Sequence, residues 1–212
     1  MSTDTALQRA VREVEDHVAS YGWDSPVRLF ALVRTAEALQ REPDLLDRLP
    51  VEDAEAAAAD PDHLLLVEQD ELDELSTASD ADDGTDDGAE SADGGAGSAD
   101  TAGSGDADAL ERMLARLAWP DEVQGVALTV ERLVVPPEVE AQAPTDPEEA
   151  VRWLAEHPRR RDVRIAAAVL RDGSRACVLR TRGTTEDPEE AVVSGPDLVP
   201  GLTRALQATL ED

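Results

Sequence analysis

Apolar residues recur at helical spacing over the first twenty positions. Leu7, Ala10, Val11, Val14 and Val18 share one side of a helical wheel, with His17 at its edge and Arg9, Arg12, Glu13 and Asp16 elsewhere. The pattern predicts an amphipathic helix over residues 5–20, ended near Gly22 because glycine accepts the left-handed position after a helix. Val27 to Val33, entered through Pro26, is a nearly unbroken apolar run and predicts a buried strand. Thr35 to Leu49 reads as helical with a break near Pro43, which cannot donate a helix hydrogen bond. His63 to Val67 predicts a second short strand.

The pattern then lapses and resumes after Asp108, which can cap a helix carrying Leu110, Met113, Leu114 and Leu117 that stops at Pro120. Val126, Leu128 and Val130 alternate with Ala127, Thr129 and Glu131, so residues 123–135 form the longest predicted strand. Asp146-Pro147-Glu148-Glu149 is a helix start with cap, first-turn proline and acidic third position; that helix carries Val151, Trp153 and Leu154. Residues 162–171 and 174–182 predict two strands joined at Asp172-Gly173, a pair suited to a tight hairpin turn. Asp187–Val192 repeats the hexapeptide of Asp146–Val151, but Gly195-Pro196 follows, so it is read as a loop or single turn. Asp197 is placed as the cap of a last helix with Pro200 in its first turn and Leu202, Leu206 and Leu210 on one side. About five mostly antiparallel strands packed by helices, with the hairpin late in the chain, predict an α+β fold in one domain.

Charge changes how the lapse is read. The chain carries 48 Asp+Glu against 19 basic residues, all Arg, for a net charge of -29. Residues 49–110 hold 20 acids and no Arg, so most of the excess lies in under a third of the chain. Within it, residues 76–108 contain no Val, Ile, Leu, Met or aromatic residue. Such a stretch cannot offset about 1–2 kcal/mol per residue of backbone ordering, so it is predicted as a disordered acidic linker. It bulges from a single domain whose parts are residues 1–75 and 109–212. Asp82 to Gly88 imitates a calcium loop, but the ligand register and the twelfth-position Glu fail, since position 12 is Gly94.

The same arithmetic excludes several classes. An acidic chain repels phosphate backbones and anionic lipid surfaces, so no nucleic acid and no membrane insertion is expected. No apolar run approaches the roughly 20 residues of a membrane span. Met1-Ser2-Thr3-Asp4 does not open a secretory signal, and a lone Cys177 forms no internal disulfide, which points to the cytoplasm. The absence of Lys and Asn, with Ala and Arg abundant, fits a GC-rich genome.

No catalytic, metal or cofactor constellation emerges. His17, His63 and His157 lack metal-ligand spacing, and Cys177 inside a strand reads as a small core residue. Without Lys there is no phosphate loop. What remains is Arg159, Arg160, Arg161 and Arg164 between helix and strand, with Arg171, Arg175, Arg180 and Arg182 on the hairpin. Arg matches carboxylates and phosphates in a bidentate fork, so Arg159, Arg160, Arg161, Arg164, Arg175 and Arg180 are candidate contacts for an anion or partner. Pairing with the chain's own acids is the commoner use and is preferred. Trp119 and Trp153 are candidate interaction aromatics.

Several stretches together resemble a family of uncharacterised actinobacterial proteins of about 200 residues. They are Arg28 to Val33, Ala118-Trp119-Pro120, Val130 to Leu133, Leu170 to Arg175 and Ser194 to Leu202. The resemblance covers nearly all of the chain outside the acidic linker and implies no activity, cofactor or catalytic residue. The expectation is a non-catalytic binding or assembly module with an unknown protein partner, a homodimer being possible through an open sheet edge. The alternative is a small enzyme using carboxylates and Arg on an anionic or polar substrate.

Overall fold

The computed structural model describes residues 3–69, 110, 112–184 and 190–211; the predicted acidic linker and the Asp108 cap lie outside them. Helix α1 (Thr3–Ala19) leads into β1 (Arg28–Arg34), α2 (Thr35–Arg41), a 3-10 turn (Pro43–Asp47), α3 (Val51–Ala59) and β2 (Leu64–Gln69). After a short helical stretch through 112–114 come β3 (Val123–Val134), α4 (Pro137–Glu140), α5 (Pro147–Glu156), β4 (Arg161–Leu170), β5 (Arg175–Thr181), β6 (Ala191–Gly195) and α6 (Pro200–Ala208). The strands form one antiparallel sheet in the order β2-β1-β3-β4-β5-β6. The chain is therefore an α+β protein, and strands from both sides of residues 70–109 share one sheet.

Both faces of the sheet are covered, which explains the near-continuous apolar runs in β1 and β4. On one face α1 presses Leu7, Val11, Val14 and Val18 onto Phe30, Leu32, Ala127, Ala166, Ala168, Ala176 and Val178. The register sets Ala127, Ala168 and Ala176 in one cross-strand row, so the surface beneath the helix is paved with small side chains. That paving lets the helix approach closely, and each large aliphatic side chain it buries stabilises by about 1.5–3 kcal/mol. On the other face Leu206 and Leu210, from α6 and just beyond it, pack with Leu114 and Trp119 over Leu29, Ala31, Val126, Leu128, Ala167, Val169 and Cys177.

The chain differs from the pattern-based expectation at several points, the helices α3 and α4 among them, since neither was expected. Among the described residues there are six strands, because Ala191–Gly195, which begins inside the Asp187–Val192 stretch read as a loop or single turn, pairs with β5 through Thr181↔Ala191 to Cys177↔Gly195. Its five residues are mostly exposed, so no burial pattern marked it. The hairpin closes through three residues, Arg171 to Gly173, with only Gly173 at positive φ (85°); the Gly173 N–H donates to the Leu170 carbonyl. Asp197 does not cap α6. Val199 occupies the cap, with no side-chain hydrogen bond, and Pro200 supplies the first turn. At α5 the expectation holds: the Asp146 carboxylate accepts from the Glu149 N–H at 3.0 Å.

Arg171 ties the hairpin to the α6 layer. Its guanidinium donates to the carbonyls of Val123 (2.9 Å), Leu210 (2.5 Å) and Trp119 (3.0 Å), joining three segments and satisfying a carbonyl just past the end of α6. Gly125 marks a second close approach, beside an irregularity where β1 moves from Leu32↔Gly125 to Val33↔Val123. A Cβ there would collide with the Val169 carbonyl and the Leu170 side chain. Gly125→Ala is expected to destabilise the fold by about 3 kcal/mol, read as a lower urea midpoint at unchanged slope.

Candidate functional site

The candidate arginines do not form one patch. Arg175 and Arg180 stand at opposite ends of β5, about 17 Å apart along a strand, and on opposite sheet faces. Arg159 and Arg160 occupy the turn into β4 and Arg161 is its first residue, all exposed. Arg159 pairs with Glu138, and Arg175 lies 3.8 Å from Asp197.

Arg164 and Arg180 meet in a buried network beneath the C-terminal half of α1. The register aligns Glu131, Arg164 and Arg180 in one row across β3, β4 and β5, on the face that α1 covers. Arg164 is 1% exposed. Its Nε and one terminal nitrogen donate to Glu131 Oε1 at 3.1 and 2.8 Å, and that nitrogen also donates to the Gly22 carbonyl. The other terminal nitrogen lies 3.6 Å from Glu15 Oε1. Arg180 holds both oxygens of Glu15 in a bidentate fork, at 2.7 and 2.5 Å. Arg180 also reaches Glu190 at 3.2 Å, while Trp23 Nε1–H donates to Glu190 at 2.9 Å. Trp23 stacks on the Arg164 guanidinium at 4.6 Å, and the Asp24 N–H donates to Glu131 at 2.7 Å.

The electrostatics follow from these contacts. Hydrogen bonding to the Glu15 carboxylate raises Arg180 above its already high value. The Trp23 N–H, followed by Arg180, holds Glu190 below the usual carboxylate range. Arg164 and Arg180 are thus neutralised by acids of the same chain. Truncating one member of such a group strands a buried charge, which is far costlier than losing a surface pair.

Trp119 is also unavailable. It is buried in the α6 layer, where its Nε1–H donates to Thr209 Oγ1 at 3.1 Å, so it is a core residue and not an interaction aromatic. Trp153 is half-buried on α5 with its ring 4.9 Å from that of His157. Cys177 lies in the core, and burial pushes its thiol up, away from the thiolate. His63 sits with Nδ1 2.8 Å from Thr35 Oγ1, and burial lowers it.

Sequence reasoning missed Glu15, Glu131 and Glu190. The signal was present for two of them. Glu15 falls within the apolar stripe, between Val11 and Val18, and Glu131 continues the alternation Ala127, Thr129. An acid in an apolar position implies a buried partner.

The other unabsorbed feature is the β6 edge. Among the described residues β6 pairs only with β5. Val192 and Val193 are 49% and 55% exposed, one on each face, and the strand carries no charge. Between α1 and β6 runs a groove of about 180 Å³, with Gln8, Val11 and Arg12 on its helix wall and Ala176, Val178 and Ser194 on its sheet wall.

An antiparallel sheet between helical layers, locked by a buried Arg–Glu network, defines an α+β class. Within it, the chain matches the PPA1309-like protein family over residues 7–211 and belongs to that family. No curated protein and no solved structure matches it.

Two outcomes test the network. Arg164→Ala is expected to destabilise by about 3–5 kcal/mol in urea unfolding, and Arg164→Lys by less, because Lys keeps the charge but not the fork. Glu190 contributes stability that is fully present above its ordinary value of 4.5 and is lost as pH falls through its lower folded value. Trp23→Phe removes the N–H donor, brings the folded value back toward 4.5 and should therefore shrink that loss, seen as a shallower fall in urea midpoints from pH 6 down to 3.

Proposed function

We propose that this protein is a non-catalytic assembly module whose working surface is the β6 edge, to which an extended protein segment adds as a further strand. The observation that supports this is an uncharged five-residue edge strand with an exposed valine on each face. Edge strands are ordinarily blunted by charge, proline or a covering segment, because bare backbone donors and acceptors invite pairing. Strand addition supplies affinity through main-chain hydrogen bonds and specificity through alternate side chains.

The alternative of a small enzyme fits less well. The groove beside β6 is below the roughly 300–1,000 Å³ of most ligand pockets. Arg164 and Arg180, the best-placed arginines for an anionic substrate, are engaged by Glu15, Glu131 and Glu190. The reading places the protein in the cytoplasm of an actinobacterium, in keeping with a buried reduced Cys177 and basic residues that are all Arg.

A photo-cross-linking residue at position 193, expressed in native cells, is expected to give a discrete protein adduct. The same residue at Val151, also about half exposed but on α5, should give none. Equal labelling from both positions, or no adduct from position 193, contradicts the assignment.

A further inference from the structure

The strand β6 is fastened differently at its two ends. Its own side chains contribute little: Ala191, Val192, Val193 and Ser194 are exposed, and no residue of the strand packs into the core on either face. At the exit end the chain turns straight into the core. Leu198 and Val199 pack in the α6 layer, a Cβ on Gly195 would touch Leu198, and the Cys177 thiol donates to the Pro196 carbonyl at 3.7 Å. At the entry end the tie, among the described residues, is the Glu190 carboxylate, one residue before the strand. Trp23 donates to one of its oxygens at 2.9 Å and Arg180 to the other at 3.2 Å.

The three acids of the buried network are not equally committed. The side chain of Glu15 is 2% exposed, that of Glu131 17% and that of Glu190 38%. Releasing Glu15 or Glu131 would strand a charge in the interior, which is very costly. Releasing Glu190 returns a carboxylate to water, and Arg180 still holds both oxygens of Glu15. Glu190 is therefore the joint that gives first. Peeling β6 from that end breaks its backbone pairing with β5 and uncovers no core side chain of its own. An element held by exposed backbone bonds and little apolar burial opens locally, at less cost than global unfolding.

We propose that β6 is a strap that opens from its N-terminal end as a unit separate from the rest of the sheet, with Glu190 as its latch on Trp23 and Arg180. Opening pivots about the exit end, uncovers the β5 edge from Cys177 to Thr181 and withdraws the β6 edge. The consequence for docking rests on the strand-addition reading. A segment can add to β6 only while the strap is closed, so a bound segment holds it shut by mass action.

Native-state hydrogen exchange on the full chain tests the strap. The β6 amides that bond to β5 are expected to exchange at least about tenfold faster than those in the middle of β3 and β4, with little dependence on low urea, since local opening exposes little surface. Glu190→Ala should speed the β6 amides about tenfold, because the lost bonds are already broken in the open strap. Gly125→Ala, a defect in β3 that opening β6 does not relieve, should speed the β3 and β4 amides and leave those of β6 unchanged. Should that variant fail to fold, the urea dependence of the wild type decides. Amides of β6 that are as slow as those of β3 and β4, with the same urea dependence, overturn the inference, and so does β6 exchange that ignores Glu190→Ala. A strap that opens as stated, with no adduct from position 193, removes the docking consequence and leaves the strap. An adduct from position 193 with β6 opening only in global unfolding does the reverse.

Discussion

Glu15 sits in the middle of the apolar stripe of α1, and the helix can lie on the sheet only if that carboxylate is met there. Arg180 grips both of its oxygens, and Arg164 stands 3.6 Å away while binding Glu131. A charge left alone at this depth would cost several kcal/mol, so helix, β3, β4 and β5 are coupled through one set of side chains. The same set holds the turn after α1, because Arg164 donates to the Gly22 carbonyl, Glu131 accepts from the Asp24 N–H and Trp23 covers the guanidinium. The left-handed backbone at Gly22 and Asp24 (φ 89° and 67°) belongs to that turn.

The Ala-paved surface is the other half of this arrangement. Ala127, Ala166, Ala168 and Ala176 bring α1 close to the sheet, and closeness makes the network short enough to be bidentate. Aromatic bulk is almost absent, at 2% of residues, so packing rests on small and branched aliphatics held at short range. Arginine alone suits the polar joints. A planar fork can satisfy two carboxylate oxygens, as Arg180 does, or several carbonyls, as Arg171 does for Val123, Leu210 and Trp119; an ammonium group offers no such geometry.

This use of arginine also organises the surface. The acids that neutralise Arg164 and Arg180 come from α1, β3 and the residue before β6, so both arginines are paired within the chain. Among the described residues β6 pairs only with β5, and most of its side chains are exposed. Strand addition, the proposed use of this edge, would draw on the backbone groups of β6 that β5 does not pair.

Much was legible in the residue pattern alone. The α1 stripe, the Asp146 cap, the β4–β5 hairpin and the α+β class follow from local rules of spacing, capping and turn chemistry. They hold because those rules act over a few residues. The pattern could not show β6, since an exposed edge strand carries no burial signal and its pairing with β5 is decided across a gap of ten or more residues. Nor could it separate Arg164 from Arg159, five residues away in the same Arg-rich stretch. One is buried on β4 opposite Glu131 and the other is exposed on a turn, a difference set by register between strands. Composition determined that the cations are all arginine and that the acids crowd residues 49–110. Only the tertiary structure decided which arginines are engaged by the chain's own acids and which strands end the described sheet, because both depend on distances between residues far apart in the chain.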